Sequence, residues 1–139
     1  MSEDIRVAIR KSQDLEEFLM LRGFSVENLG GGDYSITRDG ELPVMVNVTE
    51  GVMRFQVELC PTSAIDSRDM YFKLLDLNTE VLPVSFGIDS TNQTSPSLVI
   101  VESRLVSDLS DEELLGVFDT LELATDRAEA LLTDTLTAQ

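Results

Sequence analysis

The chain has no histidine, no tryptophan, one cysteine, and only 10 basic residues against 26 acidic ones among its 139. Each shortage closes off a class of function. Without histidine no imidazole can serve as general base beside a nucleophile, and a zinc site would have a single cysteine to hold it. One cysteine cannot form an intrachain disulfide, which fits a reducing compartment. The formal charge of -16 opposes nucleic acid and anionic membrane surfaces alike, since both require a basic face. Arg6, Arg10, Lys11 and Arg22 make the one basic cluster, and Glu3, Asp4, Asp14, Glu16 and Glu17 interleave with it. No stretch approaches the ~20 apolar residues of a membrane span, and the N-terminus lacks the apolar core of a signal peptide. A cytoplasmic chain is expected, with no cofactor, no metal, no nucleic-acid partner and no membrane insertion.

What remains suits one ordinary domain over residues 1–139, large enough to bury about 68–70% of the surface its unfolded chain exposes. The core is expected around two apolar runs, residues 81–88 and 98–106, joined by a loop of Asp, Ser, Thr, Asn, Gln and Pro. In the first run Leu82, Val84, Phe86 and Ile88 would share one face. Ser85 and Gly87 then lie on a flat face that a neighbour can approach closely. The second run is apolar on both faces from Leu98 to Val101 and should emerge into water where Glu102 and Arg104 begin.

Elsewhere the spacing of apolar residues sets the elements. Leu15, Phe18, Leu19 and Leu21 predict a helix from Asp14 to Arg22, with Asp14 and Glu17 as a capping box and Gly23 as C-cap. Gly30, Gly31 and Gly32 break the chain. Three strands follow, carried by Tyr34 and Ile36, by Val44, Val46 and Val48, and by Met53, Phe55, Val57 and Leu59, with turns at Asp39-Gly40 and Glu50-Gly51. Met70, Leu74 and Leu77 predict a second helix from Asp66 or Ser67, with Tyr71 and Leu75 beside the stripe. Ser110 and Glu113 box the start of a last helix over residues 111–132, beyond which the chain should fray. The fold class is α+β, a five-stranded antiparallel sheet in the order α-β-β-β-α-β-β-α.

The candidate sites are few. The glycine run lacks the Lys-Ser/Thr and the following helix of a phosphate loop, so it reads as a turn. Cys60 has no base to activate it and reads as a structural thiol. Asp108, Asp111, Glu112 and Glu113 lack the oxygen spacing and glycine of a calcium loop and read as a capped helix start. Asn47-Val48-Thr49 and Asn92-Gln93-Thr94 match the glycosylation pattern, which carries no meaning in a cytoplasmic bacterial protein. The last helix is apolar on more than one side, so one side can serve this core and another a second subunit. Tyr71, Leu75, Val81, Val117 and Ala124 are the candidate residues of a subunit or partner interface.

The order of elements and the acidity resemble type III secretion chaperones. That resemblance implies a small cytoplasmic protein, commonly a homodimer, that holds another protein without catalysing anything. Cys60-Pro61-Thr62-Ser63-Ala64-Ile65 after the third strand, Pro83-x-Ser85 running into Gly87-Ile88, and the acidic last helix also resemble the YjfI-like family of bacterial proteins. That family has no established activity and lends no catalytic residue. It implies a regulatory setting linked to phage-shock-type envelope stress. The function expected is a non-catalytic protein-binding or regulatory module with a protein partner and a homodimeric assembly. The alternative is a small hydrolase using an Asp/Glu pair, which needs two carboxyls brought into one cleft. A small-ligand regulatory domain is the third reading.

Overall fold

A computed structural model describes residues 12–137 of the chain. In chain order it contains α1 (Ser12–Met20), β1 (Ser25–Gly30), β2 (Asp33–Thr37), β3 (Val44–Thr49), β4 (Val52–Pro61), α2 (Arg68–Leu77), β5 (Ser85–Asp89), β6 (Ser97–Leu105) and α3 (Asp111–Thr137). Short 3-10 turns stand at Thr62–Ala64 and Val106–Asp108. The strands join in one sheet ordered β1-β2-β3-β4-β6-β5. The pairs β1/β2, β2/β3, β3/β4 and β5/β6 are antiparallel. The α+β class with an antiparallel sheet is therefore correct, but the sheet has six strands rather than five. Among the described residues four strands, not three, separate the first two helices.

The extra strand is β1, Ser-Val-Glu-Asn-Leu-Gly, at the edge of the sheet. All of it except Val26 is exposed, so it shows none of the alternation that marks a half-buried strand. Its register comes from the backbone: Ser25 pairs with Thr37, Val26 with Ile36 and Asn28 with Tyr34. The glycines that seemed a break form the hairpin turn. Gly31 and Gly32 have φ of 63° and 87°, the positive values that a type I′ turn requires at both central positions. A Cβ on Gly32 would also collide with the Val48 carbonyl oxygen, and the Val48 amide donates to the Gly32 carbonyl at 2.9 Å.

The chain forms two compact units, one of Met1–Val57 with Glu102–Val117 and one of Glu58–Val101 with Phe118–Gln139. In the first, α1 buries Leu15, Phe18 and Leu19. Its C-terminus closes as a Schellman motif: the Gly23 amide donates to the Met20 carbonyl at 3.2 Å and the Phe24 amide to the Leu19 carbonyl at 3.1 Å, with Gly23 at φ 90°. Leu21 falls beyond the helix and is 77% exposed, so it leaves the expected stripe. The helix begins at Ser12, so Asp14, expected at its start, lies within it. Residues 3–11, and with them Arg6, Arg10 and Lys11, lie outside the described residues. Tyr34, Ile36, Val44, Val46, Met53, Phe55 and Val57 bury the alternate positions of the meander as their period-two pattern predicts.

Also in this unit, Glu102 does not emerge into water. It is a buried charged residue, and its Oε1 accepts a hydrogen bond from Nε of Arg104 at 2.7 Å. The same arginine reaches Oε2 of Glu113 at 3.5 Å. Glu113 closes the expected capping box: its amide donates to Ser110 Oγ at 3.0 Å and its Oε1 accepts from the Ser110 amide at 3.4 Å.

In the second unit the first apolar run is only partly strand. Residues 81–84 form a turn in which the Val84 amide donates to the Val81 carbonyl at 3.2 Å, and β5 begins at Ser85. Proline at position 83 has no amide to give a ladder, which explains the late start. The expected face breaks up accordingly: Val84 and Phe86 are buried, whereas Leu82 is 70% and Ile88 56% exposed. Nothing approaches Gly87 closely, since a Cβ there would meet open space. The β5–β6 register pairs Phe86 with Ile100 and Gly87 with Val99. The intervening loop is held by two side chains acting as local acceptors. Asp89 Oδ1 takes the Thr91 amide at 2.9 Å and hydroxyl at 2.6 Å, and Asn92 Oδ1 takes those of Thr94 at 3.2 and 2.7 Å.

The last helix runs on to Thr137 instead of fraying after residue 132. Extending an existing helix costs little per residue, so the polar tail propagates once the apolar turns before it are fixed. Phe118, Leu121, Ala124 and Ala128 supply those buried turns, and the buried Thr125 hydroxyl donates to the Leu121 carbonyl at 2.8 Å.

Candidate functional site

The α2 helix begins where Ser67, in extended conformation, caps it: its Oγ accepts the Met70 amide at 3.1 Å. Asp69 sits in the first turn, where the helix dipole favours an anion, and pairs with Lys73 one turn on at 2.9 Å. Met70, Leu74 and Leu77 are buried, as the i, i+4, i+7 spacing predicts. At 100° per residue, Tyr71, Phe72 and Leu75 project from the other side. Phe72 is 70% and Leu75 66% exposed, two large apolar side chains three residues apart and hence neighbours on one helix surface.

Tyr71 borders that pair and is half-buried. Its hydroxyl is held above the ordinary tyrosine pKa, first by partial burial, then by the charge of Asp66 and a hydrogen bond to it, with Cys60 close by. Cys60 is itself half-buried at the end of β4, and burial raises its thiol above the ordinary value. A thiol so placed is a poorer nucleophile at neutral pH.

At the far end of α2, Asn78 turns its side chain to the sheet. Its Oδ1 accepts the Phe86 amide of β5 at 2.7 Å. Phe86 is opposite Ile100 in the ladder and β5 lies at the sheet edge, so this contact satisfies an edge amide with a side chain and blunts the strand toward pairing with another chain.

The five candidate interface residues divide. Val81, Val117 and Ala124 are 2%, 1% and 0% exposed and are consumed by the chain's own core, since a residue buried in this way has no surface left to offer. Tyr71 and Leu75 remain accessible on one helix. Phe72, which sequence reasoning passed over, is the most exposed of the three. Its signal was present: an aromatic residue two places from Met70 and Leu74 cannot share their stripe at 3.6 residues per turn.

Glu102 and Glu113 both approach Arg104, at 2.7 and 3.5 Å, so the guanidinium bridges these two carboxylates. Among the described residues no three His, Cys, Asp or Glu side chains converge as a metal site, and no helix is long and apolar enough to cross a membrane.

Solved structures share this architecture. YbjN from E. coli, a candidate transcription regulator, superposes with a TM-score of 0.61 at 13% identity over 95% of this chain and 96% of that one. A chain of the heterodimeric ExoU-SpcU complex from the type III secretion system of Pseudomonas aeruginosa matches with a TM-score of 0.65 at 18% identity, over 84% of this chain and 96% of the other. The fold is secretion-chaperone-like. An uncharacterized protein from Methanothermobacter thermautotrophicus matches with a TM-score of 0.62 and 11% identity over 88% and 96% of the two chains. No family model matches the chain and no curated protein sequence does, so the YjfI-like resemblance remains an expectation from its short motifs. At such identities the likeness is one of fold, and the chemistry has to be read from the side chains.

Proposed function

We propose that this chain is a non-catalytic protein-binding module and that the outer face of α2, centred on Phe72 and Leu75 and flanked by Tyr71, is where it meets another protein. The exposure of Phe72 and Leu75 at 70% and 66% on one helix surface carries the reading. Fully burying either side chain is worth about 1.5–3 kcal/mol, and the pair together forms the apolar centre that a contact surface needs. The secretion-chaperone-like neighbour in the ExoU-SpcU complex is bound to a protein partner, which supports the same use of this fold. In this reading the chain works in the cytoplasm, where its one thiol stays reduced.

The test is affinity capture from native lysate with the wild-type chain and with the Phe72→Ser, Leu75→Ser double variant, compared by quantitative mass spectrometry. The reading expects at least one protein recovered about tenfold more by wild type, the ratio that loss of ~1.4 kcal/mol produces. Equal recoveries by the two chains would overturn it.

A further inference from the structure

We propose that Asp39-Gly40, in the loop between β2 and β3, is a site of spontaneous backbone modification, where the aspartate closes onto the glycine amide and reopens as isoaspartate. Asp39 is the one aspartate in the chain followed by glycine, and no asparagine is so followed. The chemistry needs a carboxyl carbon open to attack, a backbone amide free to attack it, and a next residue too small to crowd the ring that forms. Glycine, with no Cβ, meets the last condition.

The structure supplies the other two. Asp39 and Gly40 are exposed at the centre of a turn that the Glu41 amide closes on the Arg38 carbonyl at 3.0 Å. Among the described residues no hydrogen bond engages the Asp39 carboxylate or the Gly40 amide. Other aspartates are tied down: Asp33 accepts from Asn47 Nδ2 at 2.7 Å, and Asp89 holds the Thr91 amide and hydroxyl. A Cβ on Gly40 would meet open space, so the ring has room as well. The turn is anchored beside the reacting pair, where the Arg38 guanidinium lies over the Phe24 ring at 4.6 Å from its centroid. Ile36 with Val44 is the last β2–β3 pair before the loop, so the change falls outside the ladder and at the kind of exposed tip where the chain tolerates insertion.

Two steps complete it. The Gly40 nitrogen bonds to Cγ of Asp39, and the amide hydrogen leaves with the carboxyl hydroxyl as water. Water then adds to the main-chain carbonyl carbon of Asp39 and breaks its bond to the Gly40 nitrogen, which takes back a hydrogen. The backbone now runs through Cγ, one carbon longer, with the α-carboxylate as its side group. Mass is unchanged, and neither oxidant nor cofactor is consumed.

The full chain is held for several weeks at neutral pH in water enriched in oxygen-18, then digested in ordinary water and mapped by mass spectrometry. Each opening of the ring leaves one solvent oxygen in the peptide. The label should gather at Asp39 several times faster than at Asp66 and Asp89, the aspartates followed by serine. An endoproteinase that cuts before aspartate should leave a fraction uncut between Arg38 and Asp39, growing in step with the label. Labelled chains should elute with the folded protein in gel filtration. Label at Asp39 no greater than at Asp66 and Asp89, or complete cutting before Asp39 throughout, overturns the proposal. Loss of labelled chains from the folded fraction overturns the placement of the change outside the ladder.

Discussion

Nε of Arg104 lies 2.7 Å from Oε1 of Glu102, and the other oxygen of that buried carboxylate has no hydrogen-bond partner. Breaking a buried ion pair from one side strands the remaining charge, whereas replacing the orphaned carboxylate by an apolar group relieves it. Glu102 stands two residues beyond Ile100 and four beyond Leu98, both buried, on the same face of β6. Arg104→Ala is expected to cost about 3 kcal/mol in urea unfolding, while Glu102→Leu stays within about 1 kcal/mol of wild type or stabilises. The reverse ranking would mean that Glu102 finds a partner in solution.

Gly32 is expected to tolerate no side chain. A positive φ costs an L-residue about 1–2 kcal/mol, and a Cβ there would also strike the Val48 carbonyl oxygen. Gly32→Ala should therefore lose at least about 2 kcal/mol of stability. Gly31→Asn should lose less than about 1 kcal/mol, because its Cβ meets open space and asparagine visits this conformation readily. Equal losses would place the strain elsewhere in the turn.

Ser67 caps the helix that bears the proposed surface. Ser67→Ala should cost about 1 kcal/mol in thermal or urea unfolding, and Ser67→Gly only a few tenths. If Ser67→Ala is neutral, the hydrogen bond to the Met70 amide contributes nothing that water does not replace.

The alkaline limb of the stability profile follows from Cys60 and Tyr71. Burial raises the thiol above its ordinary 9.0, and partial burial followed by Asp66 raises the phenol above its ordinary 10.0. In both, the folded chain holds its proton more tightly than the unfolded chain does. Their contribution is thus complete below the ordinary values and declines as pH rises through the raised ones. Cys60→Ala with Tyr71→Phe should flatten the fall in unfolding midpoint above about pH 9, and alkylation of wild-type Cys60 at neutral pH should be slower than that of an exposed thiol. An unaltered alkaline limb in the double variant would contradict this assignment.

Much of this fold was legible where one physical rule acted alone. Met70, Leu74 and Leu77, the Ser110 to Glu113 box and the Gly23 cap each stand where spacing or conformational freedom requires them. Residues facing two demands were harder to read. The polar composition of Ser25–Gly30 conceals an edge strand that only its partner's backbone defines. Val81 reads as strand, yet it is buried ahead of a proline that postpones pairing until Ser85. Glu102 reads as surface because its arginine partner, two residues along, is what permits its burial. The proposed contact surface was half visible: Tyr71 and Leu75 were identifiable from their place beside the stripe, whereas Val81, Val117 and Ala124 are core and Phe72 was passed over although its spacing sets it off the stripe.

The central claim is most directly tested by placing a photo-crosslinking benzoylphenylalanine at position 72, and separately at the exposed position Leu29 on β1, in the producing cell. Irradiation should yield one dominant crosslinked protein from position 72 and none in common with it from position 29. Identical crosslinks from both positions, or none from position 72, would contradict the assignment of α2 as the contact surface.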